Sequence, residues 1–387
     1  MLSLSQRAER IAQSDIRTMS VECERVRGVN LAQGICDTPV PAEVCAAAER
    51  AIESGYNQYT RLDGISALRQ AIAKKMRSFN GIVADPENEI VVTVGSTGAF
   101  YCAFLSLLNP GDEVLLFEPY YGYHVHTVEA VGGVPRYIAL RAPDWVFDRK
   151  DLEQAITPRT RAIVVNSPAN PSGKVFSRAE LAWIAEVAQQ HDLFVFTDEI
   201  YEYFLYDDAR HLSIATLPGM RDRTITISGY SKTFSITGWR IGYAVCSERW
   251  AGAIGYYSDL AYICAPAPLQ HAVAAGINAL PESFYQGLRR DYKQKRDLLC
   301  QALAEAGFSS RVPAGSYYVL ADASRLPGRN SKDRAMYLLE NAGVAAVPGG
   351  AFYHDDSGEN LLRFCYAKTD ADLQEAGRRL QRIAVRS

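Results

Sequence analysis

The 387-residue sequence has no apolar run near the roughly 18 residues that a bilayer span requires, so no transmembrane helix is expected. Its eight cysteines form no C-x-x-C pair and its six histidines no H-x-x-x-H pair, which removes the usual spacings of a zinc site, and no metal is expected. The cysteines are scattered through apolar segments, a pattern of buried reduced thiols that fits a cytoplasmic protein better than a disulfide framework. Basic charge is not in excess: 41 Lys and Arg stand against 44 Asp and Glu, a net charge of −3 that argues against a nucleic-acid surface. No G-x-G-x-x-G follows the first strand pattern, which disfavours a dinucleotide dehydrogenase. The opening MLSLSQRAERIAQS lacks both the apolar middle of a secretory signal and the acid-free character of a transit peptide, since it carries Glu9. It is expected to form a helical arm.

What is present is an alternation of helical and strand patterns. SALRQAIAKKMRSFNG places Leu68, Ile72, Met76 and Phe79 on one face and stops at Gly81, the pattern of a helix with a glycine end. VVTVG, EVLLFEP, AIVVNSP, LFVFTDEI and TITISG are short, branched, nearly unbroken apolar runs, as in parallel strands buried on both faces. Between two of them SRAELAWIAEVAQQ opens with Ser177 and Glu180 as a capping box and carries Leu181, Ile184, Ala185 and Ala188 on one stripe. The predicted class is α/β, with a mostly parallel sheet flanked by helices in a large domain over 41–280. After residue 275 the strands are fewer and more separated. This predicts a smaller α+β domain over 281–387, with residues 1–40 supplying an arm and part of that domain. No repeat, low-complexity segment or Pro/Ser-rich linker separates the parts, so they are expected to pack closely.

In open parallel sheets ligands sit beyond the carboxyl ends of the strands, so the residues that follow each strand carry the functional information. Gly95-Ser96-Thr97-Gly98 begins a helix and suits an anion, although a plain serine-capped turn reads the same way. Asn170 lies in a turn that either aims an amide into the cleft or closes an Asx turn. Asp198, followed by Glu199 and Tyr201, is an acid at the end of a buried strand and needs a partner, whether a ligand or a structural salt bridge. Lys232 lies in SGYSKTFSITGWRIGY, in a small-residue turn between two apolar strands, with Arg240 eight residues later. A lysine in a partly desolvated cleft becomes a nucleophile toward an aldehyde, whereas a solvated turn lysine does nothing of the kind. Together these residues could surround one ligand with a phosphate, an aldehyde and a ring nitrogen. Pyridoxal 5'-phosphate meets those demands.

The same residues carry a family resemblance. GYSKTFSITGWRIG is similar to the lysine signature of the class I and II aminotransferases, fold-type I pyridoxal-phosphate enzymes, and NSPANPSG, FTDEIY, NQYT, VPGGAFY and LLRFCYA resemble its other landmarks in order. NQYT and RFCYAK look most like the branch with kynurenine, glutamine and methionine aminotransferases. The resemblance implies a catalytic set of Lys232, Asp198 and Tyr201. Lys232 would bind the cofactor aldehyde and move the substrate α-proton. Asp198 would pair with the pyridine nitrogen, and Asn170 and Tyr201 would hold the phenolic oxygen. Tyr121 would stack on the ring, while Ser96, Thr97, Ser231 and Arg240 would hold the phosphate. Gly34, Asn170 and Arg363 would face the substrate, with Arg363 on its α-carboxylate. Tyr59 would reach the phosphate of a neighbouring subunit, so a homodimer is implied.

Two segments depart from the patterns of the family or its members. In LAQGICDTPVP, Cys36 and Thr38 stand where a proline and a phenylalanine are usual. YICAPAPLQ carries no arginine where strict dicarboxylate-specific relatives have one, which favours a neutral or aromatic amino donor with 2-oxoglutarate as an acceptor. Tyr123, Tyr262 and Cys264 are candidates for either pocket wall or core packing. The alternatives are an aspartate-type aminotransferase, a cysteine-conjugate β-lyase, and a cofactor-binding regulatory module. The last would need a DNA-binding segment that neither the first forty residues nor the net charge supplies.

Overall fold

The computed structural model describes residue 5 and residues 14–384. The arm expected over 1–14 lies outside the described residues apart from Ser5 and Ser14, and Ser14 caps the helix Asp15–Arg25 by accepting from the Ile16 amide at 3.3 Å.

Seven strands form the main sheet: Ile90–Val94 (β1), Glu113–Glu118 (β2), Val134–Ala139 (β3), Thr160–Asn166 (β4), Phe194–Asp198 (β5), Thr224–Gly229 (β6) and Ile241–Val245 (β7). Their spatial order is β1-β7-β6-β5-β4-β2-β3. Strands β2 to β6 pair in parallel, and β7 alone runs antiparallel to both of its neighbours, β1 and β6. Every residue of β2, β6 and β7 is buried, as unbroken apolar runs dictate when helices cover both faces. The edge strand β3 buries only Ile138 fully.

Successive strand residues point to opposite faces, and the core divides accordingly. Val114, Leu116, Val164 and Phe196 pack with Phe100 and Phe104 of the helix Gly95–Leu107. Leu115, Ile163 and Val195 pack with Leu181 and Ile184 of the helix Arg178–Gln190. That second helix opens with the capping box expected from sequence, Ser177 Oγ accepting from the Glu180 amide at 3.2 Å while the Glu180 carboxylate accepts from the Ser177 amide at 2.8 Å. The helix Ser66–Lys75 continues as one wide turn, Met76–Asn80, and ends where Gly81 adopts φ 73°, as its glycine predicted.

A second, antiparallel sheet orders Val347–Pro348, Leu361–Cys365, Tyr318–Asp322 and Ser309–Ser310, with the helices Glu282–Glu305, Ser331–Ala342 and Asp370–Ala384 nearby in sequence. Val29–Asn30 pairs in parallel with Val344–Ala345, and the Leu31 carbonyl accepts from the Cys365 amide at 2.8 Å. This pairing draws residues 31–36 across to the end of the main sheet. No helix among the described residues is long and apolar enough to cross a membrane.

Candidate active site

The antiparallel β7 sets the geometry. Because β6 leaves the sheet at Gly229 and β7 re-enters at Ile241 on the same edge, one loop holds both Lys232 and Arg240, next to the end of β1. Arg240 takes a left-handed conformation, φ 59°. Its carbonyl accepts from the Gly95 amide at 3.0 Å, and its Nη1 donates to the Thr237 carbonyl at 2.9 Å. A Cβ on Gly95, itself at φ 69°, would stand 2.4 Å from Arg240 Nη2, and one on Gly242 would stand 2.3 Å from the Ser96 amide nitrogen. Glycine is therefore required for the helix start and the guanidinium to close on one small volume. Arg240 forms no ion pair among the described residues.

The Lys232 amine donates to the Gly34 carbonyl at 3.2 Å and lies 5.7 Å from the centroid of the Tyr317 ring. No carboxylate pairs with it among the described residues. Burial pushes its pKa below that of an ordinary lysine, and the charge of Arg240 adds to that direction. An amine so placed is readily deprotonated and nucleophilic.

Asp198 ends β5 and is buried; Oδ1 accepts from the Ile200 amide at 3.3 Å, and Oδ2 lies 3.0 Å from His124 Nε2. His124 lies edge-on to Tyr121, with ring centroids 5.3 Å apart, and Tyr121 stacks on Tyr123 at 5.2 Å. The Tyr201 hydroxyl meets that of Tyr318 at 3.2 Å, and burial holds the Tyr201 phenol well above its usual pKa, so it is protonated at neutral pH.

Arg363 is 0% exposed. Nη1 donates to Asn170 Oδ1 at 2.9 Å and Nη2 to the Ala32 carbonyl at 2.6 Å, and the guanidinium lies over the rings of Tyr318 at 4.3 Å and Phe352 at 5.0 Å. Its Nε has no partner, and no carboxylate pairs with it among the described residues. A buried cation left in this state is set up to receive an anion. Gly34 lies beside it, where a Cβ would stand 1.8 Å from the Tyr318 hydroxyl, and its carbonyl also accepts from Tyr317 at 3.0 Å. The two unusual residues of that segment both touch the lysine loop: Cys36 Sγ lies 3.6 Å from the Lys232 carbonyl, and Thr38 Oγ1 lies 2.6 Å from Ser235 Oγ.

Ser96, Thr97, Tyr121, Asn170, Asp198, Tyr201, Ser231, Lys232, Arg240, Gly34 and Arg363 all line one cavity of about 670 Å³. Tyr123 is in its wall. Tyr59 is not: it is 79% exposed elsewhere on the surface, and Tyr262 and Cys264 also stand outside the lining. Three residues near this cavity escaped sequence reasoning. Asn166, whose Oδ1 accepts from the Asn170 amide at 2.8 Å, sits at a strand end and was open to the same rule that found Asp198. His124 is three residues after Tyr121 on one helical face, which was its only signal. Tyr318 gave none.

Behind Asp198 and Tyr201, the acid that follows each of them in sequence turns the other way. Glu202 pairs with Lys75 at 2.5 Å and accepts from Asn80 at 2.8 Å and Ser228 at 3.0 Å. Glu199 lies 2.8 Å from His211 Nε2 and accepts from Ser213 at 2.6 Å.

Comparison with known proteins matches this architecture to one family. The model of the class I and II aminotransferases aligns with residues 26–380. The chain is 41% identical to a probable N-succinyldiaminopimelate aminotransferase of Mycobacterium tuberculosis, over 95% of each chain. It is 34% identical to a kynurenine–oxoglutarate transaminase of Dictyostelium discoideum, over 91% of this chain and 90% of the relative. The solved M. tuberculosis N-succinyldiaminopimelate aminotransferase superposes with a TM-score of 0.94 at 39% identity, covering 98% of this chain and 99% of the other. A methionine aminotransferase from Escherichia coli gives 0.94 at 31% identity, covering 98% and 100%. An alignment this complete, in sequence and in fold, makes the chain a member of the class I and II aminotransferase family and hence a pyridoxal-phosphate-dependent transaminase that uses amino acids and 2-oxo acids.

Proposed function

We propose that this transaminase takes a neutral or aromatic amino donor and passes the amino group to a 2-oxo acid such as 2-oxoglutarate. The carrying observation is a second chamber of about 240 Å³ that shares Ser14, Ile16, Tyr121 and Tyr123 with the main cavity and is otherwise walled by Tyr120, Val125, Ala351 and Phe352 together with the polar Asp15 and His126. A largely aromatic and aliphatic wall with no basic side chain but a histidine rewards an uncharged side chain by removing its surface from water.

The chain's residues fit the cofactor. Arg240 has no acidic partner among the described residues and faces a helix start where glycine leaves room, so with Ser96, Thr97 and Ser231 it would hold the phosphate. Bound in this cavity, pyridoxal phosphate supplies an aldehyde that accepts the amino group and an electron-poor ring that acidifies the substrate Cα–H. Asp198, held by His124, would pair with the ring nitrogen, Tyr201 and Asn170 would donate to the phenolic oxygen, and Tyr121 would pack against the ring. Lys232 would hold the cofactor through its aldehyde, and its amine, which burial favours in the neutral form, would take the proton from the substrate Cα. Arg363, with Gly34, fixes the α-carboxylate and so aims the Cα–H at Lys232. Two half-reactions on one site give ping-pong kinetics.

The assembly is a homodimer in which Tyr59 reaches the partner's phosphate. Tyr59, Leu260 and Tyr256 are exposed at 79%, 82% and 70%, so each is available to be covered by a second subunit. The decisive experiment adds single amino acids to the loaded enzyme without an oxo acid and records the cofactor's visible band. Conversion by neutral or aromatic donors, reversed by 2-oxoglutarate, is expected. Conversion by acidic donors alone overturns the donor assignment, and steady pyruvate release with the band retained indicates a β-lyase.

A further inference from the structure

The helix Asp15–Arg25 forms part of the cavity rim. Met19 and Cys23 anchor it to the core, while Ser14, Arg17, Val21 and Glu24 line the cavity at spacings of three and four residues, which is one helical face. Arg17 is exposed, and its side chain makes no hydrogen bond or ion pair among the described residues. Three arginines of the cavity have no acidic partner among the described residues: Arg240, beside the helix start at Gly95, Arg363, fully buried with an orphan Nε, and Arg17 at the rim. Asp198 is engaged by His124 and is not a partner for any of them. With Arg240 assigned to the phosphate, Arg363 and Arg17 are left for the substrate. Glu24 lies two turns along the same face and forms no ion pair with Arg17.

We infer that Arg17 is a specificity-determining residue that receives the distal carboxylate of a dicarboxylic substrate while Arg363 holds the α-carboxylate. The inference rests on that placement of the α-carboxylate. One cavity that must accept an uncharged donor and a dicarboxylic acceptor in alternate half-reactions needs a cation that costs little when unused. An arginine at an exposed rim satisfies this, because water solvates it whenever the substrate has no second charge. A buried arginine in that position would exclude the neutral donor by its desolvation cost. Arg17 also lies in the first turn of its helix, where the dipole adds to the attraction for an anion.

The test uses the loaded enzyme and two unreactive ligands of equal chain length, glutarate and pentanoate, with affinities measured by titration calorimetry. The wild type is expected to prefer glutarate. Arg17→Ala should reduce that preference by about tenfold or more, as for loss of one charge-assisted pair, and Arg17→Lys should retain part of it. Arg17 is exposed, so neither change threatens folding. A preference unchanged in Arg17→Ala, or absent from the wild type, overturns the assignment. Arg363→Met separates the two readings: it should weaken both ligands together, and equal binding of both by that variant and the wild type would remove the α-carboxylate placement itself.

Discussion

Replacing Arg363 by methionine should separate stability from substrate binding. In the unliganded protein the guanidinium has two hydrogen bonds, to Asn170 at 2.9 Å and Ala32 at 2.6 Å, and two aromatic faces. Hydrogen bonds to a charged group contribute about 1.5–3 kcal/mol each, and a cation over a ring about 0.5–2 kcal/mol. Against this stands the cost of burying an uncompensated charge, several kcal/mol even after relaxation. The terms nearly cancel, and methionine fills much of the volume without a charge, so the melting temperature should move by only a few degrees. Substrate binding has no such compensation. Without the cation, a carboxylate must enter a closed site unpaired, at a cost of about 3–5 kcal/mol. At about 1.4 kcal/mol per factor of ten, kcat/KM should fall about a hundredfold to several thousandfold. The assay is stopped-flow absorbance of the amino-acid half-reaction, alongside thermal melting without substrate. A variant within about fivefold of wild-type kcat/KM, or one that melts far below it while still binding carboxylates, refutes the reasoning.

Four further outcomes are expected. Borohydride treatment of the loaded wild type should add the reduced cofactor's mass to the peptide containing Lys232; Lys232→Ala should lose both that adduct and the activity, and a colour and rate equal to wild type would contradict the assignment. Gly95→Ala, which places a methyl 2.4 Å from Arg240 Nη2 at a φ of 69°, should weaken cofactor affinity by about tenfold or more in equilibrium dialysis, and an unaltered affinity would show that the phosphate lies elsewhere. His124→Phe fits among Phe100 and Tyr121 but leaves Asp198 Oδ2 without its partner, so kcat should fall about tenfold and the pH titration of the cofactor band should shift, whereas a normal titration would deny His124 a positioning role. Because the folded-state pKa of Lys232 is lowered, the unfolded chain binds more protons between that value and about 10.4, and unfolding free energy of the cofactor-free protein should rise with pH across this window. Lys232→Met should remove that slope in urea titrations at successive pH values, and parallel curves would rule the contribution out.

The sequence revealed most where one chemical requirement acts locally. The buried strands appear as apolar runs because both faces are covered, and Ser177 with Glu180 announced a helix start because the capping box lies within four residues. Asp198, Lys232 and Arg240 were found because each follows or precedes a strand. The reversed direction of β7 was hidden, since IGYAV is as apolar as its parallel neighbours and composition does not encode direction. Tyr318 owes its place beside Arg363 to long-range pairing between Tyr318–Asp322 and Leu361–Cys365, which no local pattern specifies. Tyr262 and Cys264 were expected in the cavity wall from sequence position, yet the helix Glu248–Tyr262 ends outside the lining of this chain's cavity.

The turn over 198–202 has a consequence for gene recombination. Asp198 and Tyr201 face the cavity while Glu199 and Glu202 bind Lys75, Asn80, His211 and Ser213, so four consecutive or near-consecutive positions answer to partners from opposite sides. A chimera with a crossover between residues 80 and 199 draws those partners from different parents. If the parent that supplies residues 75–80 lacks the lysine, the buried carboxylate of Glu202 is stranded directly behind the cavity residues Asp198 and Tyr201. Exchanges of the rim segment 14–25, by contrast, leave that inner network with a single ancestry. Shuffling this scaffold for new substrates is thus best confined to blocks that keep residues 75–80 and 198–213 from the same parent.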